Sequence, residues 1–140
     1  GIRISVAAVR GLSFALNIPA FGIKRYEAIC YQQKKDLLCS INAPNGHFYM
    51  VSYSNGAFGS CSLNNLDTLA VPNCENIIGD QSEKISKKFN LKEEKQIYWP
   101  STSIAKIAQE MPIERPPPKP FYPNAGIYGV PDDFNSRYTS

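Results

Sequence analysis

The sequence is poor in the residues from which metal and catalytic centres are usually built. It has a single histidine, His47, and no Cys-x-x-Cys pair. Structural zinc and dithiol redox sites rely on such pairs, and Ser-His-Asp or Cys-His centres need a committed histidine. We therefore expect no catalytic residue, no metal and no bound cofactor, His47 being a surface residue of a strand. The four cysteines are expected to be reduced, mostly buried thiols: Cys30, Cys39, Cys61 and Cys74.

Long apolar runs and a strong charge surplus are also lacking. No segment approaches the roughly 20 apolar residues of a membrane-spanning helix, and the first residues do not have the order of a signal peptide. Fifteen basic and twelve acidic residues give a net charge of +3, which is too small to predict nucleic-acid binding by itself. The composition indicates a cytoplasmic protein without a membrane partner.

The beginning of the chain predicts a helix suited to close packing. Residues 2–16 mix apolar and small side chains, and Ala7, Gly11 and Ala15 recur at every fourth position, which places them on one helical face. Because these side chains are small, another helix can approach closely there. That helix belongs either to the same domain or to a partner.

Pro19 is expected to end the first helix, since a residue before proline is disfavoured in the α conformation. Residues 20–23 then predict a short buried strand, followed by a second helix through Tyr26, Ile29 and Cys30.

The middle of the chain predicts three consecutive antiparallel strands. Residues 36–42 and 47–53 are strand-like and flank the turn at 43–46, which contains a proline and a glycine. A second turn at 54–56 leads into a third strand at 57–63. Residues 54–59 are rich in glycine but lack the Gly-Lys-Ser/Thr ending of a phosphate loop, so a hairpin is favoured.

Two strand-helix units are expected next. Residues 76–79 predict a strand, and Asp80 with Glu83 resembles a capping box that opens a helix carrying Ile85 and Phe89. Lysines 84, 87, 88, 92 and 95 alternate with glutamates, which favours a solvated helix face over an RNA-binding patch.

The second unit starts from the apolar residues 97–99, and Ser101 or Thr102 is expected to cap the helix that follows. On this helix, Ile104, Ile107, Ala108 and Met111 are predicted to share one face. From Pro112 the sequence is proline-rich, which indicates an extended tail with a disordered end.

Several segments resemble motifs of the TsaB (YeaZ) family. Residues 1–5 (Gly-Ile-Arg-Ile-Ser) resemble its Gly-x-Arg-Ile-Gly, residues 10–15 (Arg-Gly-Leu-Ser-Phe-Ala) its Lys-Gly-Leu-Ala-x-Ala, and residues 18–23 its Ile-Pro-x-x-Gly-Val. Residues 38–49 resemble the strand pair around Ala-x-x-Asp-Ala-Arg and Gly-x-x-Tyr, and residues 118–122 resemble the closing Pro-x-Tyr-Leu-Arg.

The chain departs from the family pattern at three places. Asn42 stands where the family usually has Asp, Pro44-Asn45 replaces a turn that contains Arg, and Pro123-Asn124 replaces Leu-Arg. Roles that the family assigns to those positions are therefore not transferred to this chain.

The resemblance implies an α/β, actin-like ATPase (ribonuclease-H-like) fold, with a mixed sheet in which a β-meander precedes strand-helix units. Residues 1–30 would end a first actin-like domain, 31–125 would form the second, and 126–140 an extended or disordered tail. The N-terminal half would then be missing from this sequence, which starts with Gly1 rather than Met.

The resemblance also implies a non-catalytic scaffold or activator partner of TsaD in threonylcarbamoyladenosine modification of tRNA. A TsaD-like protein is the expected partner, a TsaE-like ATPase and a homodimer are further assemblies, and tRNA is contacted only indirectly. On the first helix, the expected partner contacts are Arg3, Ala7, Arg10, Gly11 and Phe14.

Two other classes of function remain open. An actin-like nucleotide-binding enzyme or glycoprotease-type hydrolase would use the turn at residues 78–80, because amides at a helix N-terminus suit phosphate. A basic RNA-binding module would bind tRNA alone, with affinity that falls steeply with salt.

Overall fold

The computed structural model describes residues 1–112, 118 and 119. In these residues, the chain begins with two helices and ends with one, and most of the strands lie between them. The elements are α1 (Ile2–Leu16), α2 (Arg25–Cys30), β1 (Leu37–Asn42), β2 (Phe48–Ser54), β3 (Ala57–Asn64), β4 (Asn76–Gly79), α3 (Ser82–Phe89), β5 (Lys92–Glu93) and α4 (Pro100–Glu110).

The strands form one mixed sheet in the order β3-β2-β1-β4-β5. The antiparallel pairs β1–β2 and β2–β3 form the predicted meander, while β4 and β5 add in parallel on the other side of β1. Parallel neighbours need a crossover connection, and α3 supplies it between β4 and β5. The predicted α/β architecture of a β-meander followed by strand-helix units is confirmed.

Hydrophobic clusters cover both faces of the sheet because side chains of successive strand residues point to opposite sides. Ile78 faces the cluster that contains α2, whereas its neighbour Ile77 packs with Ile85 of α3. The result is a three-layer arrangement with helices on both faces. The cluster on the α2 face comprises Tyr26, Ile29, Cys30, Leu37, Cys39, Val51 and Ile78. The cluster on the α3 face comprises Phe48, Met50, Ile77 and Ile85.

The predicted strand at residues 20–23 is wrong, because this segment connects α1 and α2 without joining the sheet. Its apolar side chains are only half-buried. Gly22 lies against Pro118, so that a Cβ added at Gly22 would be 3.4 Å from the Cβ of Pro118. A short apolar run predicts burial, but it becomes a strand only where a neighbouring strand offers hydrogen bonds. The second predicted helix, α2, is confirmed.

The predicted capping box at the start of α3 is also wrong. The Asp80 carboxylate accepts a hydrogen bond from the Asn42 N–H (2.9 Å) and pairs with Arg25 (2.8 Å), so it is not available to the helix. Glu83 instead pairs with Lys87 one turn later, at 2.6 Å. The helix itself begins at Ser82 and buries Ile85, as predicted.

The last strand lies in a different place from the one expected. Residues 97–99 form no strand, and β5 consists of Lys92 and Glu93. Two backbone hydrogen bonds attach it to β4, from Lys92 N–H to Glu75 C=O (2.7 Å) and from Glu94 N–H to Ile77 C=O (2.8 Å). Two charged, exposed residues carry no apolar pattern from which a strand could be predicted.

Helix α4 begins differently from the prediction. Trp99 is its N-cap residue and Pro100 its first residue, so neither Ser101 nor Thr102 caps it. Proline suits this position because its fixed φ matches the helix and its missing N–H is not needed there. The buried face is centred on Ser103, while Ile104 remains 43% exposed.

Two other expectations concern regions that the structure does not decide. The division of the chain at residue 30 stays a prediction; α2 shares a hydrophobic cluster with β1 and β2. Most of the proline-rich tail, including the predicted disorder of 126–140, lies outside the described residues. Among the described helices, none is long and apolar enough to cross a membrane.

Candidate functional site: the exposed helix α1

Helix α1 closes its C-terminal end with hydrogen bonds from the residues that follow it directly. Asn17 adopts the left-handed conformation (φ 51°) that commonly ends helices, and its N–H donates to Phe14 C=O at 3.3 Å. The Ile18 N–H reaches back to Ser13 C=O at 3.1 Å. This closure fixes the helix end at Leu16, where the sequence predicts it.

The apolar side chains of α1 are exposed rather than packed. No residue of α1 is buried, and only Val6 and Ser13 are half-buried. Phe14 is 90% exposed and Ile4 is 75% exposed. Leu12 and Leu16 are 60% and 61% exposed. Because most helices in proteins gain stability by packing an apolar face, such a helix is suited to be covered by another surface.

All five predicted contact residues, Arg3, Ala7, Arg10, Gly11 and Phe14, lie on α1 and are exposed. At 100° per residue they fall within one arc of about 100° around the helix axis. A Cβ added at Gly11 would meet no atom within 4 Å, so the small-residue stripe is open. The structure thus brings these residues together, and their contact with a partner stays a prediction.

The prediction did not include a second group of exposed side chains on the same helix. Ile4, Leu12, Leu16 and Val9 continue around the helix from Gly11, over an adjoining arc of about 140°. The signal that could have found them is the spacing of residues 4, 12 and 16 by multiples of four. With Phe14 and Ile2, they are the exposed large apolar side chains of α1.

The turn between β4 and α3 uses the N–H groups of Asp80 and Gln81 for hydrogen bonds within the protein. The Asp80 N–H donates to Ser40 C=O (2.9 Å) and the Gln81 N–H to Ser40 Oγ (3.2 Å). The Asp80 carboxylate stands beside these amides, bound to Arg25 and to the Asn42 N–H. Occupied donors and a fixed negative charge favour a structural role for this turn over anion binding.

The remaining titratable groups do not form a reactive centre in the described part of the chain. A hydrogen bond with Cys30 and burial both raise the pKa of the Cys39 thiol, which keeps it protonated and unreactive. His47 lies in the β1–β2 turn with Nδ1 3.0 Å from Asn45 C=O. Groups of three or more His, Cys, Asp or Glu able to hold a metal are absent from residues 1–112, 118 and 119.

The lysines near α3 are largely engaged with acidic or carbonyl oxygens. Lys87 lies 2.6 Å from Glu83, and this hydrogen bond lowers the pKa of Glu83 and raises that of Lys87. Lys35 pairs with Glu94 at 2.7 Å, and Lys88 donates to Leu66 C=O. These pairs favour the predicted solvated surface over a continuous basic patch.

Comparison with solved structures gives the fold. An uncharacterized protein with similarity to peptidase YeaZ from Pseudomonas aeruginosa matches with a TM-score of 0.55 and 18% identity, over 87% of this chain and 68% of that one. The chain has a YeaZ-type, actin-like fold. YeaZ from Pseudomonas aeruginosa matches with a TM-score of 0.53 and 19% identity, over 79% of this chain and 60% of that one.

At these sequence identities the likeness concerns the fold alone. This chain covers 68% of the length of the first structure and 60% of the second. No family model and no curated protein matches the sequence.

Proposed function

We propose that this protein is a non-catalytic scaffold or activator partner of a TsaD-like protein in threonylcarbamoyladenosine modification of tRNA, and that α1 is its docking surface. The observation that carries the proposal is a YeaZ-type fold in which α1 has exposed apolar residues and no buried ones. The motif resemblance at residues 1–23 covers this same helix.

The apolar side chains of α1 offer enough surface for association. Full burial of a Leu, Ile or Phe side chain contributes roughly 1.5–3 kcal/mol. Ile4, Leu12, Phe14 and Leu16 are all at least 60% exposed, so a partner can bury most of each of them. Their sum is comparable with the loss of translational and rotational freedom on binding, which is on the order of 4–15 kcal/mol.

The small residues of α1 determine how close a partner can come. Helix pairs pack with axes about 8–10 Å apart, depending on the side chains between them. Gly11 has open space around it and is flanked by Ala7 and Ala15 on the same face. A partner helix crossing at Gly11 therefore reaches the near end of this range and contacts Phe14 and Ile4 on either side.

The scaffold role is also supported by the state of the groups that an enzyme would use. The Cys39 thiol has a raised pKa and is fully buried, and the β4–α3 turn uses its amides internally. We therefore propose that the bond-forming chemistry belongs to the TsaD-like partner, with a TsaE-like ATPase as a further component. In this proposal the protein acts in the cytoplasm and tRNA contacts the assembly mainly through that partner.

The experiment is co-purification of this chain with a TsaD-like protein, followed by size-exclusion chromatography with light scattering. A stable complex is expected, and adding the chain should raise threonylcarbamoyl transfer to tRNA by the reconstituted assembly. An extended version is tested in parallel if the gene encodes one. Absence of a complex with either version would contradict the proposal. ATP hydrolysis or peptide cleavage by the isolated chain would support the hydrolase alternative instead.

A further inference from the structure

Trp99 lies directly before α4 with its indole ring in solvent. The residue is 82% exposed, and Ile97, two residues earlier, is 51% exposed. The backbone beneath the ring is fixed, because the Trp99 C=O accepts the N–H of the buried Ser103 at 3.0 Å and Pro100 begins the helix. The structure therefore holds a large exposed ring on a rigid support.

Two tyrosines attach this segment to the rest of the protein. The Tyr98 ring lies 6.0 Å from the ring of Tyr31, measured between centroids. The Tyr98 hydroxyl donates to Gln32 Oε1 at 3.2 Å, and the Tyr31 hydroxyl donates to Glu110 Oε1 at 2.5 Å. These contacts hold residues 97–99 between the end of α2 and helix α4.

Two lysines accompany the exposed ring. Lys106 Nζ lies 5.1 Å from the centre of the ring of Tyr98, the residue next to Trp99. Lys95 is exposed, and its C=O accepts a hydrogen bond from Gln33 Nε2 at 2.8 Å. Among the described residues neither lysine forms an ion pair, and the first turn of α4 contains no acidic residue. A phosphate group that approaches Trp99 therefore meets ammonium groups.

We propose that the side chains of Trp99 and Ile97 form a platform on which an unpaired base of an RNA stacks, with Lys95 and Lys106 close to its phosphates. Every base has a flat π-face, and aromatic side chains combined with basic residues bind single strands in this way. This contact is direct, whereas the family resemblance implies that tRNA is contacted only indirectly. That the RNA is a tRNA rests on the proposed function, while the platform rests on these four residues.

A nucleotide fits this surface better than a protein or a membrane does. A stable protein interface buries roughly 800 Å² on each partner, and lysine is depleted within it. The exposed large apolar residues between 92 and 112 are Ile97, Trp99 and Ile104, which are too few for such an area. A membrane-surface helix needs a continuous apolar face, whereas residues 100–102 are Pro-Ser-Thr. One base needs only one exposed ring.

Intrinsic fluorescence reports on the platform alone, because Trp99 is the only tryptophan in the sequence. The chain is titrated at about 50 mM salt, where screening is modest, with an RNA hairpin that has an unpaired loop, with a fully paired RNA duplex and with AMP. We expect the hairpin to quench Trp99 at concentrations at least about tenfold lower than the other two, since only the hairpin offers both an unstacked base and adjacent phosphates. Equal quenching by the duplex would exclude stacking, and equal quenching by AMP would indicate a free-nucleotide site. Either result would overturn the inference.

Variants of the apolar residues test the ring itself. Anisotropy of a labelled hairpin should show at least about tenfold weaker binding for Trp99→Ala and at most a few-fold change for Trp99→Phe, which keeps a flat ring. Val71→Ala is the matched control, because Val71 is 81% exposed and lies between β3 and β4. It should bind the hairpin as the wild type does. A loss for Val71→Ala as large as that for Trp99→Ala would contradict the inference.

Variants of the lysines test the phosphate contacts. Lys95→Gln combined with Lys106→Gln should reduce the slope of log affinity against log salt by about 1.4, the value for two phosphate contacts to a single strand. Lys95→Arg combined with Lys106→Arg should retain the slope. An unchanged slope in the Gln form would overturn the inference.

Two further measurements separate this inference from the proposed function. Trp99→Ala should bind a TsaD-like protein as strongly as the wild type does, and weaker binding would show that the ring contacts that protein instead of RNA. Vesicles with about 30% phosphatidylserine should leave the Trp99 fluorescence unchanged, and a blue shift would show a lipid contact and overturn the inference. Failure of the TsaD-like protein to bind the wild type, together with quenching specific for the unpaired loop, would contradict only the proposed function.

Discussion

Gly79 approaches Ser40 so closely that a Cβ at position 79 would lie 2.0 Å from the Ser40 carbonyl oxygen. Gly79 has a φ of +114°, a value that residues with side chains rarely adopt. The same carbonyl oxygen accepts the Asp80 N–H, and the Ser40 hydroxyl accepts the Gln81 N–H. This contact sets the direction in which the chain leaves β4 and enters α3.

Gly79→Ala should therefore destabilise the protein severely. The substitution combines a disfavoured φ with a clash against backbone, and we expect a loss of at least about 3 kcal/mol in the free energy of unfolding. Gly46→Ala is the matched control, because Gly46 also has positive φ (+73°) but open space around it. It should cost only about 1 kcal/mol. Urea denaturation of the two variants measures both values, and equal losses would contradict the packing argument.

The Asp80 carboxylate should matter more for its hydrogen bond to β1 than for its ion pair. Asp80→Ala leaves the Asn42 N–H without its acceptor, and we expect a loss of about 1–3 kcal/mol. Arg25→Gln removes only the ion pair with a side chain that is 59% exposed, and it should cost less than about 1 kcal/mol. Urea denaturation of both variants checks this order. A larger effect for Arg25→Gln would show that the ion pair dominates.

The Lys35–Glu94 pair should make stability depend on pH in the acid range. The hydrogen bond from Lys35 lowers the pKa of Glu94 below its ordinary value. A carboxyl with a lowered folded-state pKa stabilises the protein above its unfolded pKa and loses this effect as pH falls through the folded value. Wild type should therefore exceed Glu94→Gln in stability at pH 7, and the small difference should be lost as pH falls through the lowered folded-state pKa of Glu94. Unfolding midpoints of both forms at several pH values measure it. A difference that grows in acid would contradict the assignment.

Local sequence patterns correctly predicted the elements whose tertiary contacts favour the same structure as their own residues do. The bounds of α1 follow from its apolar and small residues and from Pro19, and the meander follows from two turns containing glycine. The strand β5 could not be predicted, because Lys92 and Glu93 are recruited by hydrogen bonds to β4 and its flanks rather than by an apolar pattern. Asp80 failed as a cap for a similar reason: a residue distant in sequence, Asn42, binds its carboxylate.

The grouping of the five predicted contact residues on one face of α1 was predictable, but the exposure of that face was not. Helical periodicity places Arg3, Ala7, Arg10, Gly11 and Phe14 together, and the structure confirms that they share one arc of α1. Periodicity does not tell whether a helix face packs against its own domain or remains open. Only the three-dimensional arrangement shows that α1 contributes no residue to either hydrophobic cluster.

The most direct measurement of the central claim is the affinity of Gly11 variants for a TsaD-like protein. Gly11 has no atom within 4 Å of an added Cβ, so both Gly11→Ala and Gly11→Leu should fold and should increase the helicity of α1. If α1 is the docking surface, Gly11→Ala should bind within a few-fold of wild type. Gly11→Leu should bind at least about a hundredfold more weakly, because its side chain separates the helices. Circular dichroism confirms folding of each variant, and unchanged affinity of Gly11→Leu would show that the partner does not dock on α1.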